Sequence, residues 1–184
     1  MTPAMKRCPD EPRLRAIFNA VEAYIEDRWR IPVIIKDVPA PFSGDLDGSE
    51  IHVDYALDVA EAVFIIAHLF GHTVQWNVSE DARKVGTTFY QNATDEELAM
   101  VHAYESEACR YSLQLFHDAG VHDCDAWLSD FAACDFAYLS HFYRTGEKQD
   151  FFGFWKDDTA LMAPLAIPGF TPTVWRSRWQ GVVV

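Results

Sequence analysis

Two histidines, His68 and His72, lie four residues apart in a strongly apolar segment of this 184-residue sequence. On an α-helix, residues with this spacing lie about 40° apart around the axis and one turn apart along it. Two imidazoles in that arrangement can bind one metal ion. Burying two unpaired imidazoles among apolar residues would be costly. The spacing and its apolar setting together predict a metal site.

A carboxylate on the next predicted helix supplies a third ligand. Glu105 lies on one helical face with His102, three residues before it, and Cys109, four residues after it. Three protein ligands with an open fourth position are typical of catalytic zinc. Two histidines and one carboxylate are also the three ligands that occupy one face of the iron in non-haem iron(II) enzymes. We therefore expect one divalent metal ion, zinc or iron(II), on His68, His72 and Glu105.

Two motifs, FIIAHLFGHTVQW and ESEACRYSLQL, follow a predicted helix, strand, loop and strand. In this order they resemble the ImmA/IrrE-type gluzincin metallopeptidase domain, and the resemblance covers residues 12–116. That family carries H-E-x-x-H on one helix and E-x-x-A-[DN]-x-F-A-x-x-L-L on the next. The resemblance implies a zincin-like fold, metal ligands at His68, His72 and Glu105, and a role in cleaving regulatory proteins.

The sequence departs from the family pattern at two positions. Leu69 stands where the family has a Glu that acts as general base, accepting a proton from the attacking water and passing it to the leaving amine. Leucine can do neither. Cys109 stands at the [DN] position, which changes the partner that would orient a ligand histidine. The resemblance thus implies a metal scaffold without the usual peptidase base.

Three functions are open to such a site. The first is hydrolysis with a relocated base, and the second is non-haem iron(II) oxygenase-type chemistry on the same three ligands. The third is a catalytically dead binding or regulatory module, since a fold alone does not establish activity. We rank a metal-dependent enzyme acting on a small molecule or a peptide first, because an inactive relic has little need to keep all three ligands. Candidates for the relocated base are Glu61, Glu107, His102 and His141, and His141 or Tyr143 could stabilise a developing oxyanion.

Composition limits the partners. The formal net charge of −13 argues against nucleic acid and anionic membranes as main partners, because both require basic surface. The longest apolar run is far shorter than the ~20 residues that span a bilayer. The first 15 residues do not resemble a secretory signal, and the four cysteines show no C-x-x-C spacing. We expect a soluble, cytoplasmic protein, and the sequence leaves its oligomeric state open.

Hydrophobic periodicity predicts an α+β fold, mostly helical with a small sheet. We expect one zincin-like domain over residues 1–184, with the metallopeptidase-like core at 12–116. Residues 117–184 would form a third long helix and an irregular, aromatic-rich tail that ends in a short strand at 182–184. His52 is expected at the surface. The other predicted elements are a helix at 11–29, strands at 31–38 and 50–54 with a loop between them, helices at 56–77 and 94–116 with a loop between them, and a helix capped by Asp123 or Asp125 that runs to about residue 143.

Overall fold

The computed structural model describes residues 5–39 and 42–175. The fold is α+β, with long helices around a small three-stranded sheet, which confirms the predicted class. In chain order the elements are α1 (Glu11–Tyr24), a π-helical turn (Ile25–Trp29), β1 (Val33–Lys36), β2 (Gly44–Leu46), β3 (Ile51–Asp54), α2 (Val59–Val78), α3 (Glu80–Gly86), α4 (Asp95–Asp118), α5 (Asp125–Thr145) and a 3-10 helix (Phe151–Phe154).

The first predicted helix is present as α1 and the π-helical turn that continues it. Asp10 caps its N-terminus by accepting a hydrogen bond from the backbone N–H of Arg13. The helical run ends at Trp29, because Arg30 adopts a left-handed conformation with φ of 59°. The predicted apolar stripe is buried along its whole length, at Leu14, Ile17, Phe18, Val21, Ile25 and Trp29.

The sheet has the strand order β1-β3-β2, with β1 parallel and β2 antiparallel to the central strand β3. Strand β2 falls within the predicted loop, so that prediction was wrong at this point. Its three residues show no alternation of apolar and polar side chains, and they become a strand only by pairing with β3. The prediction of a surface position for His52 was also wrong. His52 is 2% exposed, since it lies on the central strand opposite the buried Asp45.

Helix α2 is the central helix and is buried on nearly all sides from Val63 to Trp76. Asp58 and Glu61 form a capping box that begins it. Gly71 lies against α4, where a Cβ atom would lie only 2.2 Å from the backbone carbonyl oxygen of Ala108. The missing side chain therefore allows the backbones of α2 and α4 to approach closely, beside His72 on one helix and Cys109 on the other.

The remaining helices agree with the predictions in part. The predicted capping box of Thr94 and Glu97 begins α4. Helix α3 lies in the segment predicted as a loop, where seven residues are too few for a clear hydrophobic period. The predicted cap of α5 was wrong, since Cys124 is the N-cap residue and its side chain makes no capping hydrogen bond. Asp123 instead binds Arg13, and Asp125 accepts a hydrogen bond from His117.

The chain after the 3-10 helix has no regular secondary structure up to residue 175 and packs on the body, as predicted. The backbone N–H of Leu165 donates to the carbonyl of Arg110, and the Phe170 ring stacks on Trp29 at 4.7 Å. The strand predicted at 182–184 lies outside the described residues. Among the described helices, none combines the length and the apolar character needed to cross a membrane.

Candidate metal centre

The three residues predicted as metal ligands come together between α2 and α4. The Nε2 atom of His72 lies 3.0 Å from the Nε2 atom of His68 and 3.0 Å from the Oε2 atom of Glu105. The third side of the triangle, between His68 Nε2 and Glu105 Oε2, measures 3.2 Å. All three side chains are buried. One turn of α2 and one residue of α4 thus direct three donor atoms towards a single point.

The size of this triangle fits a single metal ion. Zn–N bonds of about 2.0–2.1 Å in a tetrahedral site place neighbouring donor atoms about 3.3 Å apart. One face of an octahedral site with bonds of about 2.1 Å has edges of about 3.0 Å. The observed separations of 3.0–3.2 Å lie between these values. The triangle therefore fits zinc and also the facial arrangement used by iron(II).

Gln75, one turn beyond His72, determines which nitrogen of that imidazole carries a proton. Its Nε2 atom donates to the Tyr104 carbonyl at 2.8 Å and to the Glu107 carboxylate at 2.7 Å. The amide oxygen of Gln75 therefore faces the Nδ1 atom of His72, at 2.9 Å. Because this oxygen can only accept, Nδ1 of His72 must be the donor.

A neutral His72 consequently presents the lone pair of Nε2 to the centre of the triangle. The carboxylate oxygen of Glu105 lies 3.0 Å from that lone pair, and two acceptors repel at such a distance. The arrangement is favourable only with a cation between them, which is either a proton or a metal ion. The orienting hydrogen bond is the arrangement that metal-binding histidines commonly have.

Replacing Gln75 by Met should weaken metal binding by about 10–100-fold, because His72 loses the acceptor that holds its tautomer and ring orientation. Competition with a chromophoric chelator would measure the affinity. Thr73→Val is the matched control, since the Thr73 hydroxyl donates only within its own helix, to the carbonyl of Leu69. An equal loss in both variants would show that general disturbance of α2, and not the bond to His72, is responsible.

His68 has a different partner on its far nitrogen. The Sγ atom of Cys109 lies 3.5 Å from its Nδ1 atom. Burial raises the pKa of the Cys109 thiol well above its ordinary value, and the nearby carboxylates of Asp135 and Glu105 raise it further. The sulfur is thus a neutral thiol. A thiol therefore occupies the place where the resembling family has Asp or Asn.

Glu105 is held in its ionised form. Burial by itself would raise the pKa of this carboxyl group, but charge interactions and hydrogen bonds with His72 and His68 outweigh that effect. The net result is a pKa well below the ordinary value. Glu105 is accordingly ionised at physiological pH and could serve as an anionic ligand.

Asp135 on α5 is a fourth polar residue at this site that was not predicted from the sequence. Its Oδ2 atom lies 3.9 Å from Nε2 of His68 and has no hydrogen-bond partner in the described part of the chain. The residue is 4% exposed. Burial raises its pKa to about 7, Glu105 also raises it, and His68 lowers it. One signal was present: Phe131 and Leu139, four residues to either side on the same helical face, are apolar.

Two cavities adjoin this cluster on different sides. The first, here named the Leu69 cavity, has His72, Glu105 and Leu69 in its wall and a volume of about 20 Å³, which is room for about one water molecule. The second, here named the Asp135 cavity, measures about 170 Å³ and has Asp135 and Glu61 in its wall. Leu69, which stands where the resembling family has its general base, is apolar and only 1% exposed.

The other candidate residues lie at different distances from the cluster. Glu107 accepts a hydrogen bond from Gln75, which itself accepts one from His72. The buried Tyr143 lies in the wall of the Leu69 cavity. Glu61 belongs to the capping box of α2, about 10 Å along the helix axis from His68. His141 is only half-buried, contacts Thr145 and Phe154, and lines neither cavity.

His102 lies outside the cluster as well. Its side chain is exposed, and its ring centroid lies 4.7 Å from that of Phe136 on the outer side of α4.

No protein-family model, curated protein or solved structure matches this chain. The chemistry of the site is therefore inferred from its own residues. Two imidazoles and two carboxylates, enclosed by apolar side chains, can hold a divalent cation and exchange a proton beside it.

Proposed function

We propose that this protein is a metal-dependent enzyme of the metallopeptidase-like type, with His68, His72 and Glu105 as ligands of one divalent ion. The observation that carries this proposal is the triangle of three buried donor atoms with separations of 3.0–3.2 Å. Zinc or iron(II) bound there would supply a Lewis acid. The surrounding chain keeps the ligands oriented, through Gln75 on one histidine and Cys109 on the other.

We further propose that Asp135 performs the acid–base role that Leu69 cannot. A general base must lie within hydrogen-bond reach of the proton it accepts, directly or through one water molecule. Asp135 adjoins His68, with Oδ2 3.9 Å from Nε2, and that oxygen accepts no hydrogen bond from the described residues. The base would thus act from α5, on the His68 side of the cluster, and not from the position after the first histidine.

The order of the elements supports a zincin-like scaffold. A helix and a small mixed sheet precede the helix that carries His68 and His72, and α4 carries the carboxylate. This order is what the resemblance to the ImmA/IrrE-type family implies. Peptide bonds or related amides are accordingly the first substrates to test, with the apolar walls of the site favouring apolar groups.

Non-haem iron(II) chemistry is the second candidate, because the same triangle fits one face of an octahedral ion. Metal analysis of the purified protein, combined with turnover assays, separates the possibilities. About one equivalent of zinc with hydrolysis of peptides or amides supports the first proposal, whereas iron with O₂-dependent turnover supports the second. A protein that binds neither metal would contradict both and leave a binding module.

Glu105→Gln should weaken metal binding by more than about 100-fold, because it removes an anionic ligand and not merely a residue that orients one. Metal content after dialysis and chelator competition are the measurements. Glu96→Gln makes the same chemical change at an exposed position in the first turn of α4 and should leave the affinity unaltered. Unchanged affinity in Glu105→Gln would remove this residue from the proposed ligand set.

A further inference from the structure

Four of the ten described residues that line the Asp135 cavity are aromatic. Phe64 stacks on Phe131 with ring centroids 4.4 Å apart, and Phe151 lies 5.8 Å from Phe131 and 5.5 Å from Tyr138. All four rings line the cavity. Its volume of about 170 Å³ exceeds the ~150 Å³ of an apolar cavity that admits benzene, so a single ring with a short substituent fits.

The charged groups in these walls are both acidic. Asp135 and Glu61 line the cavity, and none of its described lining residues is Lys or Arg. The Oδ2 atom of Asp135 is buried without a hydrogen-bond partner in the described part of the chain. That atom lies 3.9 Å from Nε2 of His68, whereas Asp135 as a whole, 4% exposed, lines the cavity. A carboxylate buried this deeply calls for a further donor, because it has lost most of its contacts with water.

We propose that the Asp135 cavity binds a compact organic amine, with the apolar body among the four aromatic rings and the ammonium group on Asp135. Aromatic faces attract cations, and a charged N–H donor forms a strong hydrogen bond with a carboxylate. Both carboxylates would repel an anionic ligand of the same size. That this ligand is a substrate or a product rests on the proposed function, whereas binding of the amine does not.

Benzylamine is the test ligand, and benzyl alcohol is its uncharged counterpart of similar shape. Titrations followed by NMR or calorimetry at about pH 8 should use the metal-free protein, because an amine can also bind a metal ion directly. Benzylamine should bind to the wild-type protein at least about tenfold more tightly than benzyl alcohol. No detectable binding of benzylamine, or equal affinities for both compounds, would overturn the proposal.

Asp135→Asn preserves the shape of the side chain and removes its charge. We expect it to weaken benzylamine binding by at least about tenfold and to change benzyl alcohol binding by less than about threefold. Asp37→Asn is the matched control at an exposed position in a loop and should alter neither affinity. Equal benzylamine affinity in wild-type protein and Asp135→Asn would show that the ammonium group does not lie on Asp135.

Ser43→Phe tests the location, because the larger side chain would fill part of the cavity. Both compounds should then bind at least about tenfold more weakly. If that variant does not fold, Leu57→Phe at another half-buried position in the wall serves the same purpose. Undiminished binding in a folded variant would place the amine elsewhere. Metal content, measured separately on the wild-type protein, tests the proposed function independently of these titrations.

Discussion

His72→Ala is expected to abolish tight binding of a divalent metal ion, reducing metal content from about one equivalent to below about 0.1 per chain. His72 provides two of the three sides of the donor triangle, to His68 and to Glu105, both at 3.0 Å. Its loss leaves two ligands, too few for a structural or catalytic zinc site. Elemental analysis after dialysis measures the content directly.

Thermal unfolding with and without added metal provides a second measurement on the same variant. A ligand that binds only the folded state stabilises it by RT ln(1 + [L]/Kd), so the unfolding temperature rises with the logarithm of the ligand concentration once that concentration exceeds Kd. Added metal should therefore stabilise the wild-type protein and not His72→Ala. His122→Ala, at an exposed position before α5, is the matched control and should retain both properties. Full metal content in His72→Ala would refute the proposed centre.

Gly71→Ala is expected to lower the free energy of unfolding by about 3 kcal/mol, at the upper end of the range for overpacked interiors. The added Cβ would lie 2.2 Å from the carbonyl oxygen of Ala108 and 3.0 Å from its Cα atom. Both are backbone atoms in the middle of a helix, so no side-chain rotation can relieve the contact. The helices α2 and α4 would have to separate beside His72, which should weaken metal binding as well.

Urea denaturation of the metal-free protein measures the first effect, and chelator competition measures the second. Gly169→Ala is the matched control, because a Cβ there meets no atom within 4 Å. That variant should stay within about 0.5 kcal/mol of the wild-type protein. If Gly71→Ala were equally mild, α2 and α4 could not approach as closely as the donor triangle requires.

The amino-acid sequence was sufficient for the features that depend on residues close together in the chain. His68 and His72 share a helical face because hydrogen bonding along the backbone places residues four apart one turn from each other. The capping box at Thr94 also depends on nearby residues only, and it predicts the start of the helix that carries Glu105. The burial of α2 could be predicted from its apolar composition. Because two imidazoles in a buried helix need a partner, their presence there indicated a metal site.

Contacts between distant segments could not be predicted from local sequence patterns. Strand β2 exists because β3 supplies its hydrogen bonds, and the burial of His52 depends on that pairing. The approach of α2 to α4 at Gly71 is likewise visible only when the two helices are packed together.

Asp135 shows the physical reason most clearly. It lies 67 positions after His68 in the chain, yet their side chains are 3.9 Å apart. Periodicity identifies which face of a helix is buried, but not which residues of another helix that face will meet. The histidine pair could thus be predicted from the sequence. The position of Asp135 beside it, and the cavity that Asp135 lines, depend on how α5 packs against α4 and places side chains next to α2.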